Sequence, residues 1–290
     1  MMRRLARWSG ARYLAGLALL LCVFFGLEPT ARAQGFETGP GNSRLSTLGS
    51  APGTRWRFGA ERWFVASRVD VGFFFLRPRV SVGYGQPHFS WVGVDAVPIV
   101  STSAIGGYMG LRVEKNFFEV RSGMLHQYSY NRSFLPQQDS YGRRDIDILD
   151  GPRAQYWLWD SELELYAPLG PIKLRSDTQL IYATGFPEAH DLYLDTMWVV
   201  IGSGVTVRQR LGFEFFLRGT NIGVTPAVEV VWLDERQVGI VRAGVQLRWL
   251  LTDELQIRTS ILPVVKSPDY LGRASGDVLE VTLRWLWASD

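Results

Sequence analysis

The chain has 290 residues, enough for one large domain, and 47% of them are apolar. Its formal charge of +3 comes from the N-terminus, since residues 34–290 alone carry 26 basic and 27 acidic side chains. This balance removes the electrostatic argument for nucleic-acid binding, and a single cysteine, Cys22, excludes a disulfide framework.

The N-terminus has the three parts of a secretory signal peptide. The basic stretch MMRRLAR precedes an apolar run of 14 residues from Leu14 to Leu27, and Ala31-Arg32-Ala33 matches an A-x-A cleavage pattern. The run is shorter than the ~20 residues of a membrane-spanning helix. We therefore expect residues 1–33 to be removed by cleavage near Ala33, with an uncleaved anchor as the alternative.

Residues 34–53 are rich in Gly, Pro, Ser and Thr, and they predict a flexible N-terminal segment. From residue 54 onward apolar residues recur at every second position, which predicts one β-domain over 54–290. Clear strands are expected at 153–166, 237–250 and 277–287. We predict short turns at 114–116, 167–171, 208–212 and 251–253, and longer connections at 131–152, 185–195 and 266–276.

Alternation alone does not separate a soluble β-sandwich from a membrane barrel, because both write the same pattern. Strand length favours the membrane: the expected strands have about 11–14 residues, against ~5–6 in globular proteins. The alternation of short turns with longer loops is typical of outer-membrane barrels. No later stretch is long and apolar enough for a membrane-spanning helix, so a spanning chain must form a closed barrel.

Aromatic residues cluster near the strand ends, as in the interfacial girdles of membrane barrels. The predicted membrane-interface residues are Trp157, Trp159, Trp249, Trp285 and Trp287. The final strand, VLEVTLRWLW at 278–287, alternates and closes on an aromatic residue. It resembles the C-terminal assembly signal of bacterial outer-membrane β-barrel proteins, although Ala288-Ser289-Asp290 follow it here, whereas that family usually ends on the aromatic.

The predicted fold is all-β, a transmembrane antiparallel up-and-down β-barrel of about 12 strands, within a range of 10–14. The first four strands are the hardest to place, because Arg77-Pro78-Arg79 interrupts their pattern and proline disfavours a strand interior. The resemblance implies a porin-like protein of a Gram-negative outer membrane. It also implies two partners, outer-membrane lipid and the outer-membrane assembly machinery. No oligomeric state follows from the sequence.

If the apolar face meets lipid, the polar face lines the lumen. The predicted lumen-lining residues are Arg112, Glu119, Arg121, Glu162, Glu164, Lys173, Arg175, Asp177, Arg242, Arg248, Arg258, Glu280 and Arg284, together with Glu214, Arg218 and Glu229. Mixed charges allow two functions: a small channel for ions or polar solutes, or a structural barrel plugged by ion pairs.

The sequence contains one candidate catalytic pair. His126 with Ser129 or Ser133 resembles the histidine–serine pairing of lipid A deacylases, but position 128, where that family places its serine, is Tyr128. A lipid A or phospholipid hydrolase centred on His126 and Ser129 is therefore an alternative to the channel, and a secreted soluble all-β binding protein is a third. A girdle residue is the preferred role for His126, so we expect no enzyme. The sequence shows no pattern for a metal or a cofactor, and we predict none.

Overall fold

The computed structural model describes residues 60–72, 75–101, 104–147, 153–272 and 277–289. The expected signal peptide and the segment 34–53 lie outside the described residues. The strands are β1 (Arg62–Gly72), β2 (Phe75–Gln86), β3 (Ser90–Ser101), β4 (Ala104–Lys115), β5 (Phe118–Ser133), β6 (Leu135–Pro136), β7 (Arg153–Leu169), β8 (Ile172–Thr184), β9 (His190–Leu194), β10 (Val199–Ile201), β11 (Gly204–Phe216), β12 (Ile222–Leu233), β13 (Val238–Leu250), β14 (Leu255–Leu262), β15 (Val264–Lys266) and β16 (Asp277–Ala288).

The long strands form a closed antiparallel barrel of twelve strands, which confirms the predicted fold. Neighbours around the barrel follow chain order, and the ring closes where β16 pairs with β1, with Val69 opposite Trp285. The short β15 continues the edge of β14 past Pro263 by pairing with β13. Within the described ranges, closure gives each of the twelve long strands a partner on both sides, which is the condition for a sheet to span lipid.

Within the described ranges, no helix is both long enough and apolar enough to cross a membrane.

The barrel carries its apolar side chains outside and its polar side chains inside. On β4, Met109 is 71% exposed, while Arg112 on the opposite face of the same strand is buried. On β3, Asp95 points inward and is 1% exposed between the exposed Val94 and Ala96. This orientation is the reverse of a soluble β-protein, and it answers which face of each strand meets lipid.

The two rims of the barrel differ. One rim, here the short-turn rim, carries the tight connections at 87–89, 116–117, 170–171, 217–221 and 251–254. The other, the loop rim, carries three long connections, 134–152, 185–203 and 267–276. The turn predicted at 208–212 is wrong, because those residues lie inside β11 and the turn follows at 217–221.

The proline stretch is accommodated within β2. Pro78 lies opposite Val69 of β1, so β2 continues through it. On the other side, however, the pairing of β2 with β3 passes from Leu76 directly to Val80. The ladder thus loses contacts on one side of the proline, as expected for a residue without an N–H.

Candidate functional site

The lumen of the barrel contains a cavity of about 490 Å³, called here the vestibule. It reaches the short-turn rim, where Lys115 and Asn116 are exposed. Charged side chains line its middle, and apolar side chains such as Val97 and Leu125 line its far end. Thr196, from the connection between β8 and β11, also lies at that end. The vestibule is therefore a polar chamber that ends at an apolar layer.

A short hairpin inside the barrel makes the apolar layer. Strands β9 and β10 pair with each other, and we call residues 190–201 the inner hairpin. Its residues Leu192, Leu194 and Ile201 are almost fully buried. They belong to one cluster with inward side chains from strands on opposite walls, including Ile99 on β3 and Ile240 on β13. Such distant walls share a core because the hairpin fills the space between them.

The opposite face of the inner hairpin packs against the loops. Tyr193 and Val200 form a second buried cluster that includes Leu135, Tyr141 and Leu271. The short strand β6 pairs with β9, so loop residues extend the hairpin into a three-stranded sheet. The loop rim is thus covered by two apolar layers with the hairpin between them.

A buried arginine ties the inner hairpin to the wall. The Arg242 guanidinium, on β13, donates to the carbonyl oxygens of Met197 (2.8 Å) and Trp198 (3.1 Å) in the hairpin turn. It also donates to the Glu229 carboxylate at 2.6 Å, which Arg210 holds from the other side at 2.9 Å. Arg242 is 1% exposed, so it anchors the hairpin rather than facing open water.

Loop residues make a second attachment. The Tyr141 hydroxyl donates to the buried Asp191 carboxylate of β9 at 2.6 Å. Burial raises the pKa of Asp191, and the Tyr141 hydrogen bond and nearby Arg236 oppose that rise. Arg236 donates to the Val200 carbonyl at 3.1 Å and binds Asp269 at 2.7 Å. The Tyr141 hydroxyl and the Arg236 guanidinium therefore hold the two strands of the hairpin from outside the apolar layer.

Inward charges fill the middle of the lumen as ion pairs. The Asp70 carboxylate binds both Nε (2.6 Å) and Nη2 (3.0 Å) of Arg284. Asp95 binds Arg112 at 2.8 Å, and the Arg248 guanidinium lies 2.5 Å from Glu214. Pairing of this kind lets charges persist in a narrow interior of low dielectric constant.

Most predicted lumen residues lie on inward strand faces and in the interior pockets or ion pairs. Glu162 binds Arg121, Arg175 binds Glu164 (3.3 Å) and Asp177 (3.0 Å), and Lys173 approaches Glu214 at 3.9 Å. Glu119 pairs with Arg112, while Glu280 and Arg258 line a pocket of the lumen. Arg218 is the exception, since it lies in the exposed turn at 217–221.

A second set of charged side chains faces the lumen and was not predicted from the sequence. They are Arg68, Asp70, Arg77, Arg79, Asp95, Glu114, Asp160, Arg208 and Arg210. Most lie on β1 to β4, where the register could not be read, or in the wrongly predicted turn at 208–212. Gln209 lies in this part of β11 and faces outward. Its amide oxygen accepts a hydrogen bond from the Thr178 hydroxyl (2.6 Å), and its amide nitrogen donates one to the Ser176 hydroxyl (2.9 Å). A satisfied amide lets a polar residue sit on the outer face of a strand.

Charges of the two signs are unevenly distributed around the lumen. Glu114, Glu119, Glu164 and Asp177 are register partners in succession across β4, β5, β7 and β8. On the far side of the barrel, Arg248 and Arg258 are register partners on β13 and β14. Arg284 extends that side onto β16. A solute in the vestibule therefore lies between a carboxylate-rich wall and an arginine-rich wall.

The candidate hydrolytic pair is not brought together. His126 packs on Trp157 at 4.4 Å between ring centroids and accepts a hydrogen bond from the Gln155 amide at 3.1 Å, both on the outer face. Ser129 is buried on the inner face. The two residues are three positions apart on one strand, so their side chains point to opposite faces. Ser133, likewise an odd number of positions from His126, is also buried.

The predicted interface tryptophans lie on the outer face of the barrel and are exposed. Trp157 and Trp159 are near the loop rim, at the start of β7. Trp249, Trp285 and Trp287 are near the short-turn rim, at the ends of β13 and β16. Trp63 and Tyr84 extend the second band and meet edge to face, with ring centroids 5.7 Å apart. The apolar outer face between these bands matches the lipid-facing belt of outer-membrane barrels.

The closed strand order, the outward apolar face and the polar lumen define the architecture as a transmembrane antiparallel β-barrel.

No protein-family model matches the chain, and no curated protein matches it. Among solved structures, the chain is similar to OccAB1 of Acinetobacter baumannii, with a TM-score of 0.40 and 11% identity over 74% of this chain and 57% of that one. It is also similar to the NanC porin, with a TM-score of 0.30 and 10% identity over 79% and 98%. OmpT of Vibrio cholerae gives a TM-score of 0.31 and 8% identity over 78% and 97%.

Proposed function

We propose that the chain is an outer-membrane channel for small polar solutes, closed on its loop rim by the inner hairpin. The observation that carries this proposal is the vestibule, a charged chamber of about 490 Å³ that ends at the hairpin. A purely structural barrel, the second reading of the sequence, needs no such chamber. Mixed charge along the walls suits ions and small polar solutes better than apolar ones.

The way the hairpin is attached supports a gate rather than a fixed filling. Gly185 and Gly204 flank the segment with φ values of +85° and +124°, a region that favours glycine. A Cβ at either position would meet no atom within 4 Å, so packing does not explain these glycines. Conformationally free residues at both ends of a segment are suited to act as hinges.

The proposal includes the cellular location of the protein. We infer that the signal peptide is cleaved near Ala33 in a Gram-negative cell, and that the assembly machinery reads β16. Outer-membrane lipid then contacts the apolar belt, and the short-turn rim faces the periplasm. Sequencing the N-terminus of protein extracted from outer membranes tests this, since cleavage predicts Gln34 as its first residue.

Planar-bilayer conductance tests the channel. Gly204 pairs with Ala183, so the ends of the hairpin segment are adjacent, and a four-residue Gly-Ser linker can replace residues 186–203. A second variant, Leu192→Asp with Leu194→Asp, undocks the hairpin without shortening the chain, because buried carboxylates are disfavoured. We expect sustained conductance from both variants and rare openings from the native chain. Folded variants that conduct no more than the native chain would reject the gate.

A further inference from the structure

A second, smaller cavity of about 200 Å³ opens from the vestibule, and we call it the arginine pocket. Arg77, Arg248, Arg258 and Arg284 line both cavities. Arg248 and Arg284 are occupied by their carboxylate partners, Glu214 at 2.5 Å and Asp70 at 2.6 Å. The other two arginines are different, and they decide what the pocket can bind.

Arg258 and Arg77 form no ion pair among the described residues. Arg258 uses only its Nε, which donates to the Gln256 side chain at 3.1 Å. Its register partners on the two neighbouring strands are Arg248 and Thr282, neither of which carries a negative charge. Arg77 lies over the Phe75 ring, 4.4 Å from the centroid.

Two guanidinium groups without an ion pair are costly in a confined interior, because neither has a carboxylate in direct contact as its counter-charge. An anion entering the pocket would supply it. A guanidinium binds carboxylate or phosphate through two parallel hydrogen bonds, and the Nη atoms of Arg258 are not used elsewhere in the described chain. The hydroxyls of Thr225, Ser260 and Thr282 line the same pocket and add polar surface around such an anion.

We propose that the arginine pocket binds small anions that carry a carboxylate or a phosphate group, with Arg258 and Arg77 as its charged contacts. The volume of about 200 Å³ limits the ligand to a small molecule. Glu280 and Glu214 also line the pocket, so anions with more than one or two charges are disfavoured. The inference rests on the proposed channel only in that a solute must reach the vestibule.

Calorimetric titration of the full barrel, refolded in detergent at low ionic strength, tests the pocket without requiring conduction. The probes are benzoate and inorganic phosphate, with tetramethylammonium as a cation of the opposite charge. We expect saturable binding of at least one of the anions and none of the cation. If only one of the two anions binds, the ligand class is carboxylates for benzoate or phosphates for inorganic phosphate.

Arg258→Gln is expected to weaken anion binding roughly tenfold or more, as is typical for loss of charged hydrogen bonds. Arg77→Gln weakens binding in the same direction, and Arg218→Gln, in an exposed turn, leaves it unchanged. Heat-modifiable gel migration verifies folding, and Arg258→Lys replaces the glutamine variant if that fails to fold. The proposed anion site is rejected if neither anion binds saturably. It is also rejected if Arg258→Gln and Arg218→Gln bind the anion with equal affinity. Conductance with no anion binding rejects the pocket but keeps the channel.

Discussion

Replacing Arg242 by methionine should loosen the inner hairpin while keeping the barrel closed around it. The substitution removes two hydrogen bonds from a charged donor to the Met197 and Trp198 carbonyls. Each such bond contributes about 1.5–3 kcal/mol, and burial of the methionine returns roughly 1–2 kcal/mol. The net loss of docking free energy is about 1–5 kcal/mol, or roughly a 5- to 5,000-fold shift toward the undocked hairpin.

The Glu229 carboxylate limits the loss of barrel stability that Arg242→Met causes. Its carboxylate keeps the two contacts from Arg210, so no buried carboxylate is left without a cation. The loss should therefore fall on the hairpin, and the denaturant midpoint of the barrel should change little.

Single-channel recording measures the shift as the frequency and duration of openings. Arg248→Met is the matched control, because it removes a lumen arginine that binds Glu214 and not the hairpin. We expect more frequent openings in Arg242→Met only. Equal opening frequencies in the two folded variants would refute the anchoring role of Arg242.

The charged side chains of the lumen and the inner hairpin have three further measurable effects. In urea unfolding, Arg284→Met should destabilise the barrel by about 1–3 kcal/mol, because Asp70 loses two charged hydrogen bonds and keeps only Arg68 at 3.4 Å, whereas Arg258→Met should be neutral or stabilising; equal losses would contradict this difference. Burial raises the pKa of Asp191 above 3.8, so its ionised form opposes docking at neutral pH, and openings should become rarer as the pH falls through the raised pKa. Asp191→Asn should remove this part of the pH dependence; an unchanged profile would count against it. In the linker variant, Glu162→Gln with Glu164→Gln should shift the reversal potential toward anion selectivity, and an unchanged potential would mean that these carboxylates do not line the ion path.

Strand periodicity predicted the architecture well because each long strand is exposed to lipid on one face and to charges on the other. The strands at 153–166, 237–250 and 277–287 match β7, β13 and β16 closely. The alternation fails where outward polar residues or inward apolar residues break it. The run around Gln209 looked like a turn for this reason.

Strand periodicity could not predict the inner hairpin, because a long connection between two barrel strands is expected to be an exposed loop. Its composition held a signal, however: LYLDTMWVVI, at 192–201, is too apolar to remain in water. Folding such a segment into the lumen buries it, and this creates the apolar layer that no single strand predicts. The placement of His126 was readable from the sequence, because His126 and Ser129 differ by an odd number of positions in a strand.

In the proposed channel the inner hairpin, and not the barrel wall, closes the lumen. The decisive measurement is the conductance of the linker variant beside the native chain, both verified as folded by heat-modifiable migration. We expect a steady open current from the variant and rare, brief openings from the native chain. A folded variant that stays silent, or a native chain that conducts as steadily as the variant, would contradict it.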